Sequence, residues 1–564
     1  MPVSRTSLSG SFAFVLYLAL NLPFLYAAEV TSQRLLEADK EPHNWLTYGG
    51  TYKAWRYSPL DQIKRSNIKK LVPVWTFQTG VVDGGFQTTP LIADGIMYIT
   101  SPWNRIFAID AATGKELWHY YYAYPKNLRP PDGPWNRGAA LGHGLVFMGT
   151  NDNSLVAVDA TTGKEVWKVN IESREQCGCA ITGAPLVVKD KVVVGVTGGD
   201  AAHRGYINAF DVKTGRRAWR FWTIPGPGEK GHETWPGDSW KMGGGSSWMT
   251  GSYDSELNLI YWGVGNPAAD FYGDARRGDN LYTDSVVALD ADTGQLKWYY
   301  QEIPHDVWDW DSAYESVLLD LPVNGTMRKI LVNPNKGGYT WVIDRTNGQF
   351  LNAWPLAETI NWIKGIGPKG ELIGRNEPVI GKPTLICPCI GGGRSWNHAA
   401  YSPRTGFFYS TGLEWCQNLT AQKEEPKQGM PFFGGTFELL KPPDREAGSH
   451  FDAYDPVTGK KHWTYQSKYP LLASALATGG DLVFTGDPEG NFFALDAKTG
   501  EKVWSFKTGS GHRGSPVTYS VNGKQYIAVP TGWGSAVASI MTQLWPEGED
   551  FPGGCTLFVF ALTE

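Results

Sequence analysis

Charge is scarce in this sequence. Lys, Arg, Asp and Glu make up 19% of its 564 residues, and 51 basic against 56 acidic side chains leave a net charge of −5. Without an excess of Lys and Arg to neutralise phosphates, nucleic acid is excluded as a partner. Disorder is excluded as well, because 42% hydrophobic residues with so little charge bury enough apolar surface to fold. Long apolar runs are missing with one exception, Phe12 to Ala28, which follows Arg5 and exits through Ala27 and Ala28. That order is expected of a secretory signal over residues 1–28. The alternative is an uncleaved anchor, for which the run is short. No other stretch has the length to span a bilayer, and the mature chain is expected outside the cytoplasm, where disulfides are permitted.

What is abundant points to strands. Gly 67, Pro 36, Trp 25 and Tyr 26 suit many turns between short aromatic-rich strands and do not suit long helical bundles. One phrase, Asp-x-x-Thr-Gly-x-x-x-Trp, recurs along the chain. It reads DAATGKELW at 110–118, DATTGKEVW at 159–167, DVKTGRRAW at 211–219 and DADTGQLKW at 290–298. It returns as DPVTGKKHW at 455–463 and DAKTGEKVW at 496–504, with a degenerate DRTNGQFLN at 344–352. Asp and Thr side chains bond turn backbone, Gly takes a positive φ, and Trp opens the next strand to pack on the neighbouring repeat.

The phrase aspartates are 49, 52, 79, 54, 111 and 41 residues apart. Four-stranded repeats of about 40–50 residues are propeller blades. The widest gap has room for a blade without the phrase, and 399–412 reads as a weaker strand–turn–strand. The expectation is an all-β, eight-bladed propeller with tryptophan docking, a single domain over 29–564. Closure is expected from an early strand pairing with the C-terminal run TLFVFAL.

The phrase, with GNP at 265–267 and HDVWDWD at 305–311, resembles the pyrroloquinoline quinone (PQQ) dependent alcohol dehydrogenases. These are the methanol and ethanol dehydrogenase family, and the resemblance runs from about Trp45 to the C-terminus. It implies a periplasmic oxidoreductase that oxidises a primary alcohol to an aldehyde by proton abstraction and hydride transfer to PQQ. It implies cytochrome c as the electron acceptor and, by analogy, a homodimer. No CxxCH occurs, so the fused haem domain of the quinohaemoprotein branch is not expected. The competing reading is a non-catalytic propeller scaffold for binding or assembly.

The resemblance makes Asp309 the general base, with His305 and Asp306 buttressing its loop. Asp200, Asn266 and Asp309 match the metal ligands, Asp200 standing where the family usually has glutamate. Asp311, two residues past the base, matches an added ligand of the lanthanide-dependent branch. Oxygen-only donors suit a hard cation, calcium or a lanthanide ion, rather than zinc or copper. Trp248 matches the indole on which the quinone stacks, and Arg137 and Lys336 the positive groups that hold it. Gly198, Gly199, Thr182 and Ser246 complete the cradle. Gln87 and Ser395 stand where Glu and Asn are common, and Trp396 and Trp533 are expected to wall the pocket.

The cysteines depart from the family. Its adjacent Cys-Cys pair is missing, and RPPDGPWNRG stands there at 129–138. Six cysteines leave the pairing open; the resemblance favours Cys387–Cys416, while Cys177/Cys179 with Cys387/Cys389 binding zinc is the alternative. Two other motifs fail: GHETWP at 231–236 has Pro236 where a second zincin ligand is required, and GVGNPA lacks the third glycine of a dinucleotide fingerprint.

Overall fold

A computed structural model describes residues 1–2, 29–127 and 133–563; residues 3–28 of the expected signal peptide lie outside them. Seven blades follow one another as four-stranded antiparallel sheets, the seventh with a short fifth strand, Tyr57–Ser58, added parallel to its innermost strand Leu476–Thr478. The first is Leu91–Ala93, Ile96–Ser101, Arg105–Asp110 and Glu116–Tyr121, and the seventh ends with Lys502–Lys507. The eighth closes the ring: Val517–Val521, Lys524–Thr531 and Thr556–Leu562 are completed by Leu71–Gln78 from the other end of the chain. Leu71 pairs with Leu562 and Gln78 with Thr556, which is the closure expected of TLFVFAL.

Burial explains the sequence pattern. Inner strands such as Ile96–Ser101 are covered on both faces by neighbouring blades, so they read as continuous buried runs. Outermost strands such as Glu116–Tyr121 alternate between exposed and half-buried positions, because one face meets water.

The repeated phrase is the joint between blades. In each turn the Asp carboxylate accepts backbone N–H bonds from the next residues, as Asp159 does from Thr161 (3.1 Å) and Thr162 (2.7 Å). The Trp docks on the following blade. Trp118 Nε1 donates to the Ala160 carbonyl at 3.1 Å, Trp167 to Val212 at 2.9 Å and Trp463 to Ala497 at 3.1 Å. Each of those carbonyls belongs to the residue just after the next phrase's Asp. The phrase glycine is fixed twice over. Gly163 has φ +70°, and a Cβ there would lie 2.5 Å from the Trp118 ring. Gly163→Ala is therefore expected to destabilise the protein by about 1–3 kcal/mol, read as a lower denaturant midpoint.

Two members of this belt carry no phrase signal. In the degenerate copy Asn352 takes the Trp position and donates to the Val457 carbonyl at 2.8 Å, while Trp354, two residues on, packs over Gly459. Trp75, on the closing strand, packs over Gly114.

One expectation is corrected. Residues 399–412 are not a separate blade. Ala400–Ser402 and Phe407–Glu414 are the two inner strands of the sixth blade, whose outer hairpin carries the 455–463 phrase. The wide gap is filled by small sheets outside the ring, Gly365–Ile366 with Leu372–Ile373, and Thr384–Ile386 with Cys416–Ala421 and Gly435–Leu440. The eighth blade is the closing one.

Cys387 pairs with Cys416, as the resemblance favours, and Cys177 pairs with Cys179. Cys389 and Cys555 are free and buried. The four-thiolate zinc alternative is thereby overturned, since three of its four sulfurs are in disulfides. Among the described residues no helix is long and apolar enough to cross a membrane.

Candidate active site

Two kinds of loop meet at one end of the ring: those that lead into a blade's innermost strand, and those that join its second strand to its third. Arg137, Thr182, Ser246, Trp248, Asp309, Asp311, Ser395 and Trp396 stand on the first kind. Gly198, Gly199, Asp200, Asn266 and Lys336 stand on the second. Loop positions carry these groups because their backbones are not committed to a ladder. All of them line one cavity of about 440 Å³. Gln87 and Trp533 do not. Gln87 is buried and donates to the Gly534 carbonyl at 3.1 Å, and Trp533 packs edge-on against Phe551.

At the inner end, Asp200, Asp270 and Asp309 bring carboxylate oxygens within 4.8 Å of one another. The Asn266 amide nitrogen donates to Asp200 at 3.1 Å and Asp270 at 3.0 Å. Its oxygen has no hydrogen-bond partner in the protein, and neither has Asp309 Oδ1. A Cβ on Gly199 would sit 2.3 Å from that Asn266 oxygen, so the close approach requires glycine. Buried, unpartnered, all-oxygen donors around a concentration of negative charge fit a hard cation.

The base candidate is held from both sides. Lys336 Nζ donates to Asp309 Oδ2 at 2.8 Å. Asp306 accepts the backbone N–H of Trp308 at 2.9 Å and of Trp310 at 2.8 Å, bracing the loop as expected, and its own carboxyl is pushed up to about 6 by burial. Asp309 has φ +67°, in the left-handed region that Asp and Asn enter more readily than other residues. Burial drives its carboxyl well above the usual range; Lys336 opposes this, and Asp200 and Asp311 add repulsion. Asp311 stands outside the carboxylate trio. Its Oδ1 accepts from Trp248 Nε1 at 3.1 Å and its Oδ2 faces Lys336 Nζ at 3.4 Å.

Above the carboxylates the walls become aromatic and cationic. The Arg137 guanidinium, bonded to the Thr182 hydroxyl, lies 4.7 Å from the Trp248 ring and 4.8 Å from Trp396. Arg513 lies 4.6 Å from Trp396 and donates to the Ser395 and Ser535 hydroxyls, each at 3.1 Å, and to the Leu472 carbonyl at 2.8 Å. Those partners are neutral, and burial, with repulsion from Arg137, brings Arg513 down to about 9. Indole faces beside buried guanidiniums and hydroxyls fit a flat, polyanionic ring system.

Several lining residues escaped the sequence reading: Trp135, Tyr314, Arg513, Ser535 and an apolar wall that includes Ile390, Phe433, Phe437, Val537 and Ile540. Asp270 escaped it as well. A signal existed for Arg513, since HRG at 512–514 repeats the NRG of 136–138 at the same kind of loop. The apolar wall comes from excursions with no repeat to announce them.

A wider cleft, about 720 Å³, opens between the sixth blade and the excursions. Its charged groups pair among themselves, Lys468 with Glu547 at 2.8 Å and Lys441 with Glu446 at 2.6 Å. At its floor His450 bridges Asp452 (2.5 Å) and Glu414 (3.0 Å). Burial opposes the imidazolium, but these two carboxylates raise His450 to about 9. Because the folded value is raised, the contribution to stability is complete below about pH 6.5 and is lost as pH climbs through about 9; it amounts to roughly 3 kcal/mol. His450→Gln is expected to lower the melting temperature at pH 6.5 and to flatten its decline between pH 7 and 9.5. An unchanged profile would remove His450 from this role.

Comparison with known proteins gives a consistent picture. The glucose/ethanol/alcohol dehydrogenase β-propeller domain family (PQQ) matches residues 45–360 and 466–527. The quinoprotein alcohol dehydrogenase PedH of Pseudomonas putida is 38% identical, over 95% of this chain and 94% of that protein. The quinoprotein ethanol dehydrogenase of Pseudomonas aeruginosa is 35% identical, over 91% and 89%. Among solved structures, a europium-containing methanol dehydrogenase superposes with a TM-score of 0.88 at 33% identity, covering 94% of this chain and 100% of that one.

Proposed function

This chain belongs to the PQQ-dependent glucose, ethanol and alcohol dehydrogenases, and we propose that Asp309 is the base with which it oxidises its substrate. It is a PQQ-dependent alcohol dehydrogenase acting on a small-molecule alcohol, with calcium or a lanthanide as its ion. When bound, the quinone supplies the two-electron acceptor.

One observation carries the assignment of the base. Lys336 engages one oxygen of Asp309 and leaves the other, Oδ1, buried without a partner in the cavity wall. That oxygen is the group to take the hydroxyl proton of a primary alcohol. Asp200, Asn266 and Asp309 are the residues to hold the ion, and a cation there favours the ionised form of Asp309 that burial alone disfavours. Trp248 is the stacking face, and Arg137 and Arg513 answer the cofactor's carboxylates. Phe433, Phe437, Val537 and Ile540 exclude water and receive the apolar part of the alcohol.

Electrons are proposed to leave to a soluble cytochrome c, by family analogy. A homodimer is the proposed assembly, by family analogy. The proposed location is the periplasm, supported by two disulfides and the apolar run before residue 29.

The test is reconstitution of the full chain with PQQ and either calcium or lanthanum. Cofactor absorbance is expected to co-elute with the protein on gel filtration, and an artificial dye acceptor to be reduced on adding primary alcohols. Loss of the absorbance with every cation tried would sink the reading.

A further inference from the structure

We propose that Asp270 is a direct ligand of the ion, taking up the coordination that Asp200 is too short to supply. The inference rests on the reading of the cavity as a metal and quinone site and adds to it a residue that no motif announced.

Asp270 is 0% exposed, four residues past Asn266, on the same loop of the fourth blade. Its Oδ1 accepts from Asn266 Nδ2 at 3.0 Å, while its Oδ2 has no hydrogen-bond partner in the protein. A carboxylate is not buried with a bare oxygen unless something compensates it. The nearest side-chain cation on its own loop, Arg276, is spent on backbone, donating to the Ala269 carbonyl at 2.6 Å and the Asp306 carbonyl at 2.6 Å, and on the Asn280 side chain. What Asp270 does face is the other donors: its carboxylate belongs to the trio with Asp200 and Asp309 whose oxygens lie within 4.8 Å of one another. Two further bare oxygens, Asn266 Oδ1 and Asp309 Oδ1, sit in the same buried group.

The chemistry of the set follows. Lys336 lies between Asp309 (2.8 Å) and Asp311 (3.4 Å) and offsets one of the four carboxylate charges of Asp200, Asp270, Asp309 and Asp311. Three carboxylate charges then remain around the ion, with one amide oxygen. A trivalent ion brings their sum to zero, whereas a divalent one leaves a buried negative charge. Asp270 thus tilts the site toward a large trivalent cation, and it does so from a loop position distinct from Asp311.

A positioning role is the natural rival, in which Asp270 only orients Asn266. Asp270→Asn separates the two, because asparagine keeps the Oδ1 acceptor for Asn266 and removes the charge and the carboxylate oxygen. The experiment uses the full chain with PQQ, equilibrated against chelator-buffered terbium and then lanthanum, with bound ion counted by mass spectrometry. Wild type is expected to hold one ion per chain. Asp270→Asn is expected to bind terbium about 10-fold to 100-fold more weakly, and calcium less affected than terbium. Asp270→Glu, which restores the charge, is expected to recover part of the affinity, and circular dichroism melts of each variant report folding. Terbium binding equal to wild type in Asp270→Asn would overturn the proposal while leaving the metal site intact. Absence of any bound ion in wild type would overturn the reading on which it rests.

Discussion

Asp309→Asn, purified and loaded with PQQ, is expected to turn over alcohol about 10²–10⁴-fold more slowly than wild type while keeping its cofactor. Asparagine has the same shape, accepts the Lys336 hydrogen bond at the same oxygen, and tolerates the left-handed backbone at this position (φ +67°). What it loses is basicity at Oδ1 and one unit of charge toward the ion, so ion content per chain is counted and turnover is compared at full ion occupancy. The effect therefore belongs in kcat with a dye acceptor, with quinone absorbance per chain close to wild type. A variant that holds the quinone and turns over at the wild-type rate would show that the proton leaves by another group.

Glu315→Ala is expected to cost about 3–5 kcal/mol of folding stability. Glu315 and Arg394 are both 0% exposed and meet in a two-pronged pair, at 2.5 and 3.1 Å. The Glu315 carboxylate also accepts the Ala399 backbone N–H at 2.8 Å, and Arg394 donates to the Asn397 carbonyl at 2.6 Å. Removing the acid strands a guanidinium in a dry interior, which is why the single substitution is worse than losing the pair. Replacing both partners with Met and Leu is expected to restore much of the loss. The pair joins the strand entry of the fifth blade to that of the sixth, next to Ser395 and Trp396. The single variant is thus expected to loosen quinone binding as well. Urea midpoints equal to wild type for Glu315→Ala would show that the pair contributes nothing net.

The fold was readable because the joints between blades are short-range chemistry. Asp, Thr, Gly and Trp at fixed offsets state both the turn and its contact with the next blade, so seven of the eight blades could be counted from spacing. The miscount of 399–412 has a physical origin. An excursion of more than thirty residues separates Glu414 from Gly448, so the sixth blade's inner hairpin looks orphaned in the linear chain although Phe408 pairs with Tyr454. Trp354 and Trp75 were missed because docking depends on where the ring lands, not on its distance from the turn. In the site, residues within contiguous motifs, Asn266 and Asp309 among them, were legible. Asp270 was not, since one more acidic residue in a loop says nothing until burial and its neighbours are known. Gln87 was placed in the cradle by correspondence alone; it is buried outside the cavity lining, where its amide nitrogen donates to the Gly534 carbonyl.

The manner of ring closure has a kinetic consequence. The strand Leu71–Gln78 forms early in the chain but finds its partner, Thr556–Leu562, only after almost everything between has been made. Contacts so remote in sequence make folding slow. Until they form, the eighth blade stays open, and Thr556–Leu562 and Leu71–Gln78 each present an unpaired edge to other chains. The cavity depends on that closure, because Arg137 on the loop entering the second blade and Arg513 on the loop entering the eighth line it together.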